Sequence, residues 1–132
     1  MPRLLLALGL LCLALVAGDP DEWKEQGVFS AAEPGKWAGK EAKHAPILTV
    51  NGQQAKVITK HGASKDHHVG AHWIEDENGK ILVIDTWGPD EHDEDSEFRL
   101  PAGLAGKITA YAYCNQHGVW KSEPVAVGHS EL

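Results

Sequence analysis

Two Asn-Gly dipeptides, at 51–52 and 78–79, each sit between runs in which apolar and polar residues alternate. Asn-Gly favours the tight turn of a β-hairpin, because both residues tolerate a positive φ. The runs they join, Ile47–Thr59 and His67–Glu75 followed by Ile81–Trp87, carry the period of two that half-buried strands require. Gly88-Pro89 breaks the pattern. Lys107–Cys114 resumes it, with Ile108, Ala110, Ala112 and Cys114 on one face. Glu97–Leu100 reads as a short strand stopped by Pro101, and Gly118–Val127 as the last strand. No segment shows a convincing helical period. Short strands separated by turn signals predict an all-β sandwich.

The N-terminus has a different texture. Arg3 precedes the unbroken apolar or small run Leu4–Val16, and Val16-Ala17-Gly18 offers small residues for cleavage. This is the pattern of a secretory signal, too short to span a bilayer comfortably. The reading is therefore a signal peptide at 1–18, an N-terminal arm or linker at 19–43, and one domain at 44–132. The arm is polar and rich in Gly and Pro, with Trp23, Phe29 and Trp37 as anchors. The mature protein is expected to be exported, to the periplasm, with no membrane attachment once the signal is removed. The whole chain carries a formal charge of −7. It lacks the clustered Lys and Arg that phosphate contacts demand, which argues against nucleic acid as a partner. The acidic stretch Asp90–Glu97, with His92, reads as a solvated loop.

Loss of the leader also removes Cys12, one of only two cysteines. Exported proteins usually pair their cysteines, and Cys114 then has no partner in the chain. It stands three residues before His117, in Tyr113-Cys114-Asn115-Gln116-His117-Gly118, in a chain with eight histidines. Imidazole and thiolate together suit iron, copper or zinc, and not calcium or magnesium. Other histidines fall in suggestive places. His44 lies just before a strand, in Lys43-His44-Ala45-Pro46-Ile47. His61 and His67 are six apart, and His68 and His72 follow. In a regular strand Val69, Ala71 and Trp73 would share the face of His67, and Gly70, His72 and Ile74 that of His68.

Lys-His-x-Pro-Ile, two histidines six apart, and Tyr-Cys-Asn-x-His-Gly-x-Trp together resemble the superoxide reductases. The likeness is to the one-iron neelaredoxin type and to the iron domain of desulfoferrodoxin, and it runs from Lys43 to Glu123. It implies an immunoglobulin-like β-sandwich. It implies one mononuclear iron (Fe2+/Fe3+) with His44, His61, His67 and His117 as equatorial ligands and Cys114 as the axial thiolate. It implies Lys43 as the catalytic residue that attracts the anion. The implied reaction is one-electron reduction of superoxide to hydrogen peroxide, fed by an unidentified external electron donor, since no rubredoxin-like four-cysteine domain is present. A homo-oligomer is compatible with the sequence. Two positions depart from the family pattern. Ala42 stands where many members have a glutamate able to bind ferric iron, with Glu41 one residue further back. Gly70-Ala71-His72-Trp73-Ile74 stands where Glu-Trp-Ile is common. Two other classes remain open at this stage. One is a cupredoxin-like copper electron carrier, although the only methionine is Met1. The other is a module with structural zinc.

Overall fold

The computed structural model describes residues 18–62, 64, 66–88 and 94–128. Residues 1–17, on which the expected signal peptide and Cys12 fall, and two of the histidines, His92 and His129, lie outside them. Among the described residues no helix is long and apolar enough to cross a membrane.

Nine strands are present among the described residues: β1 Val28–Ser30, β2 Ile47–Asn51, β3 Gln54–Ile58, β4 Val69–Glu75, β5 Ile81–Thr86, β6 Asp95–Arg99, β7 Gly106–Cys114, β8 Gly118–Lys121 and β9 Val125–Val127. They form a larger sheet in the order β1-β8-β7-β4-β5, with β9 also on β7, and a smaller sheet in the order β2-β3-β6. The two sheets close on one apolar core. Leu48, Ala55, Val57 and Phe98 of the small sheet meet Ile74, Ile108, Ala110 and Val127 of the large one. The expected all-β sandwich is the observed architecture.

The turn chemistry accounts for much of it. Gly52 and Gly79 take φ of +61° and +83°, closing the β2–β3 and β4–β5 hairpins where Asn-Gly predicts them. The alternation in β7 is real: Ile108, Ala110, Ala112 and Cys114 are all buried. Cys114 therefore ends the inward-facing row of a central strand.

Three expectations need correction. The face predicted for His67 does not hold, because β4 begins at Val69 and its pairing with β7 slips between Val69 and Ala71. Val69 lies across from Cys114 and Ala71 across from Tyr113. Residues two apart thus face opposite sides, as a β-bulge at Gly70 dictates. The final strand is also not continuous. β8 pairs with the end of β7 and β9 with its start. Ser122 bridges the gap: its N–H donates to the Ala110 carbonyl at 2.8 Å and its Oγ accepts the Ala110 N–H at 2.9 Å. Pro124 has no N–H to continue the ladder. The strand predicted at 97–100 instead spans Asp95–Arg99.

The segment before residue 44 packs on the large sheet. Asp19 Oδ1 accepts the Glu22 N–H at 3.0 Å and caps a short helix, Pro20–Lys24, with Pro20 in the first turn. Trp23 on that helix is buried. Its ring stacks on Tyr113 at 4.3 Å and tilts against Trp73 at 5.8 Å. β1 then runs parallel to β8. A 3₁₀ turn at Gly35–Trp37 and a helical turn at Glu41–His44 lead into β2.

A candidate metal centre at one end of the sandwich

The Cys114 thiol and four imidazoles meet where β7 ends. Donor atoms of His44, His61, His67 and Cys114 all lie within 4.8 Å of one another. His117 adjoins them, with its Nδ1 3.1 Å from His67 Nε2 and 3.7 Å from Cys114 Sγ.

Local structure explains how they converge. β7 and β8 form a hairpin with Cys114 opposite Gly118. Gly118 takes φ of +77°, a left-handed conformation that glycine adopts freely. The three residues between them turn the chain so that His117 comes back beside Cys114. Trp120 Nε1 donates to the His117 carbonyl at 3.0 Å and fixes that turn. Asn115 stitches it to the loop before β4. Its Oδ1 accepts the His68 N–H at 3.0 Å, and its Nδ2 donates to the Asp66 carbonyl at 3.0 Å. Gln116 Nε2 donates to the same carbonyl at 2.7 Å. His67 is thereby held against His117.

The rings form a square. Centroids of neighbours are 4.6 Å apart for His44 and His61, 4.4 Å for His61 and His67, 4.8 Å for His67 and His117, and 4.6 Å for His117 and His44. The diagonal from His44 to His67 is longer, at 5.9 Å. Cys114 Sγ sits 3.3 Å from His61 Nε2. Two adjacent imidazole nitrogens bound to one ion at about 2.1 Å would be about 3 Å apart. The His61–His67 and His67–His117 nitrogen pairs, each at 3.1 Å, match that spacing.

Backbone carbonyls set the tautomers of two rings. His44 Nδ1–H donates to Lys40 O at 2.9 Å and His61 Nδ1–H to Gly62 O at 2.6 Å. Each then points the lone pair of Nε2 at the cluster. His44 Nε2 is buried and has no hydrogen-bond partner, a costly state for a polar atom. A bound cation would satisfy it. Holding the far ring nitrogen by a carbonyl is also how proteins orient metal-binding histidines.

Electrostatics favour the same reading. Burial pushes the His44 imidazole down to about 4; its bond to Lys40 opposes this, and the neighbouring imidazoles add to it. Burial also lowers His67 and His117, and the Lys40 ammonium lowers both further. Neutral imidazoles are the ligating form. Burial pushes the Cys114 thiol up, while the N–H groups of Gln116 and His117 pull it back. A metal is what would make it a thiolate. The donor set of borderline nitrogens and one soft sulfur fits iron, copper or zinc.

The remaining singled-out residues fall elsewhere. Lys43 is exposed on the helical turn that carries His44. His68 is buried beside the cluster but points its backbone, not its ring, into the stitching described above. His72 is fully buried on the inner face of β4, in contact with Thr59 and Ser96. Trp37, expected only as an anchor of the arm, sets its ring edge-on to His117 with centroids 4.6 Å apart, and Lys40 carried no sequence signal. Their place follows from the fold of the arm. A groove of about 560 Å³ lined by Ala42, Pro46, Ile47 and Val125 lies beside the same helical turn and includes none of the cluster.

A comparison with curated proteins gives no match. Solved structures do match. A variant of the superoxide reductase (neelaredoxin) from Ignicoccus hospitalis superposes with TM-score 0.65 at 20% identity, covering 78% of this chain and 94% of that one. A variant neelaredoxin from Archaeoglobus fulgidus in the reduced form gives 0.56 at 22% identity, covering 73% and 95%. At these identities the likeness establishes the fold. The desulfoferrodoxin family itself matches residues 36–123, a span that holds all five clustered side chains. The chain belongs to the desulfoferrodoxin family.

Proposed function

We propose that this protein is a superoxide reductase, reducing superoxide by one electron to hydrogen peroxide at a single non-haem iron held by His44, His61, His67, His117 and Cys114. The observation that carries the reading is the square of four imidazoles with a thiol packed against it. When bound, the iron supplies the electron and a coordination position to the substrate. The residues do the rest. Four neutral imidazoles and one thiolate leave a ferrous site with net positive charge, which favours an anion. Cys114, as a thiolate, would donate electron density to the iron and tune its potential. Superoxide, one electron and two protons make one hydrogen peroxide; the electron comes from an external donor, and no dioxygen is released.

Charge steering must be local. The chain is net negative, and charges beyond about 8 Å are screened at physiological salt. Lys43, next to His44, and Lys40, whose charge reaches His67 and His117, supply a positive rim. Ala42, exposed beside Lys43, supplies no carboxylate where the family resemblance leads one to expect it. The leader pattern supports export to the periplasm, which N-terminal sequencing of the purified protein would test.

Metal analysis and the visible spectrum of the oxidised protein test the proposal together with Cys114→Ser. The expected result is about one iron per chain and a thiolate-to-ferric band that the serine variant lacks. Turnover of superoxide should fall steeply with it. Zinc, or a copper-thiolate spectrum, would overturn the reading, and so would an unchanged band in Cys114→Ser.

A further inference from the structure

The loop that carries His61 is gripped from both sides by polar groups that the chemistry above does not use. His72 is fully buried on β4. Its Nδ1 lies 2.8 Å from Ser96 Oγ and its Nε2 3.1 Å from Thr59 Oγ1. Ser96 Oγ is in turn 3.2 Å from Asp85 Oδ2. A carboxylate only accepts, so the single Ser96 proton goes to Asp85, and Ser96 oxygen accepts from His72. Nδ1 therefore carries the proton. In the neutral ring Nε2 is then an acceptor, and the Thr59 hydroxyl donates to it. The alternative acceptor for that hydroxyl, the Glu94 carbonyl, is more distant at 3.4 Å and already takes the Thr59 N–H at 2.8 Å. The chain of donors runs Thr59 to His72 to Ser96 to Asp85, linking the two sheets.

Thr59 follows the last residue of β3 and stands two residues before His61. Beyond His61, Gly62 N–H donates to Glu94 Oε2 at 2.9 Å. Gly62 O accepts the His61 Nδ1–H. The irregular segment 59–62 is therefore fixed at Thr59 by His72 and the Glu94 carbonyl, and at Gly62 by the Glu94 carboxylate.

We infer that His72 and Glu94 are positioning residues of the metal centre: by holding Thr59 and Gly62 they aim His61 Nε2 at the point it shares with His67 and Cys114. Neither belongs to the cluster. The inference rests on the cluster being a metal site, not on which metal is native. Residues that orient metal-binding histidines through such contacts typically change metal affinity by about 10–100-fold when removed. The buried histidine at position 72 thus acquires a role: it keys β4 to the loop of a ligand.

Cobalt(II) titration of the metal-free protein tests this, because its visible bands report ligand geometry whatever the native metal is. Three variants suffice. Glu94→Ala frees the Gly62 N–H. Glu94→Gln keeps an oxygen acceptor there. Thr59→Val removes the hydroxyl at nearly constant shape. Glu94→Ala and Thr59→Val should each weaken cobalt binding about tenfold and displace the thiolate-to-cobalt band. Glu94→Gln should restore both properties. Melting of the metal-free proteins gives the structural contribution separately. Wild-type band and affinity in both Glu94→Ala and Thr59→Val, whatever their melting temperatures, would overturn the inference. The iron reading stands or falls independently, on the metal content of the native protein.

Discussion

Trp23→Ala tests whether the stretch that precedes His44 is part of the fold. Trp23 is 7% exposed and covers Tyr113, the residue before Cys114. A buried aromatic side chain covers some 150–250 Å². Truncation to alanine then removes roughly 4 kcal/mol of apolar burial at about 25 cal/mol per Å², an upper figure because unfolded chains are not fully extended. The parallel stack on Tyr113 adds about 1 kcal/mol. The vacated space adjoins an open recess lined by Glu22, Tyr113, Cys114 and Asn115. Water and the short helix can move into it, which recovers part of the loss. A net cost of about 3 kcal/mol results, within the range for buried aromatic truncations. Urea unfolding of the metal-chelated protein, followed by circular dichroism, measures it without the stabilising effect of bound metal. Trp23→Phe keeps a stacked ring and should cost only about 1 kcal/mol by the same reckoning. A loss below about 1 kcal/mol for Trp23→Ala would show that the segment decorates the sheet without stabilising it.

Three further outcomes are expected. His61→Ala and His67→Ala should each weaken metal binding by more than about 100-fold, the upper end for residues that only support a ligand, whereas His68→Ala should mainly lower stability; isothermal titration with unfolding curves separates the two. The second-order rate with superoxide should fall as ionic strength rises, and Lys40→Gln and Lys43→Gln should each lower both the rate and its salt slope in pulse radiolysis. Equal slopes in all three proteins would remove both lysines from anion steering. The metal-free protein should lose stability in acid. Unfolded His44 takes a proton near 6.5, but the buried folded ring does so only at about 4. Between those values the unfolded chain binds more protons, so stability falls as pH drops and the loss is complete below about 4. His44 alone can contribute roughly 3 kcal/mol to this. A flat stability between pH 7 and 4.5 would contradict the burial of that ring.

Much of this architecture is legible in the chain because its signals are local. Asn51-Gly52 and Asn78-Gly79 announce their hairpins, and the row from Ile108 to Cys114 announces both a strand and its buried face. The cluster is legible because His-x-Pro, the paired histidines and Cys-x-x-His keep their identities and order. What escapes is non-local. β1 is three residues long and exists only because β8 lies parallel beside it, a pairing that no alternation within Val28–Ser30 encodes. The bulge at Gly70 inverts the faces of β4, and glycine marks it without specifying it. Lys40 enters the site through a carbonyl bond to a residue four positions on, along a turn too short to show a period. His72 is meaningful only through Thr59, Ser96 and Asp85, which come from three other segments.

The five clustered side chains come from three stretches of chain: the turn ending at His44, the loop from His61 to His67, and the hairpin from Cys114 to His117. Cys114 is a free thiol, and no disulfide closes any loop among the described residues. An ion seated among these side chains would therefore be the chain's covalent-like staple. It would close the span from His44 to His61 and the much longer one from His67 to Cys114 at a single point. Closing long loops restricts the unfolded chain more than the folded one. Loss of the ion would then release constraints at three places at once. Resistance to unfolding would then be a function of metal supply, and a chain deprived of metal would be the form exposed to proteolysis.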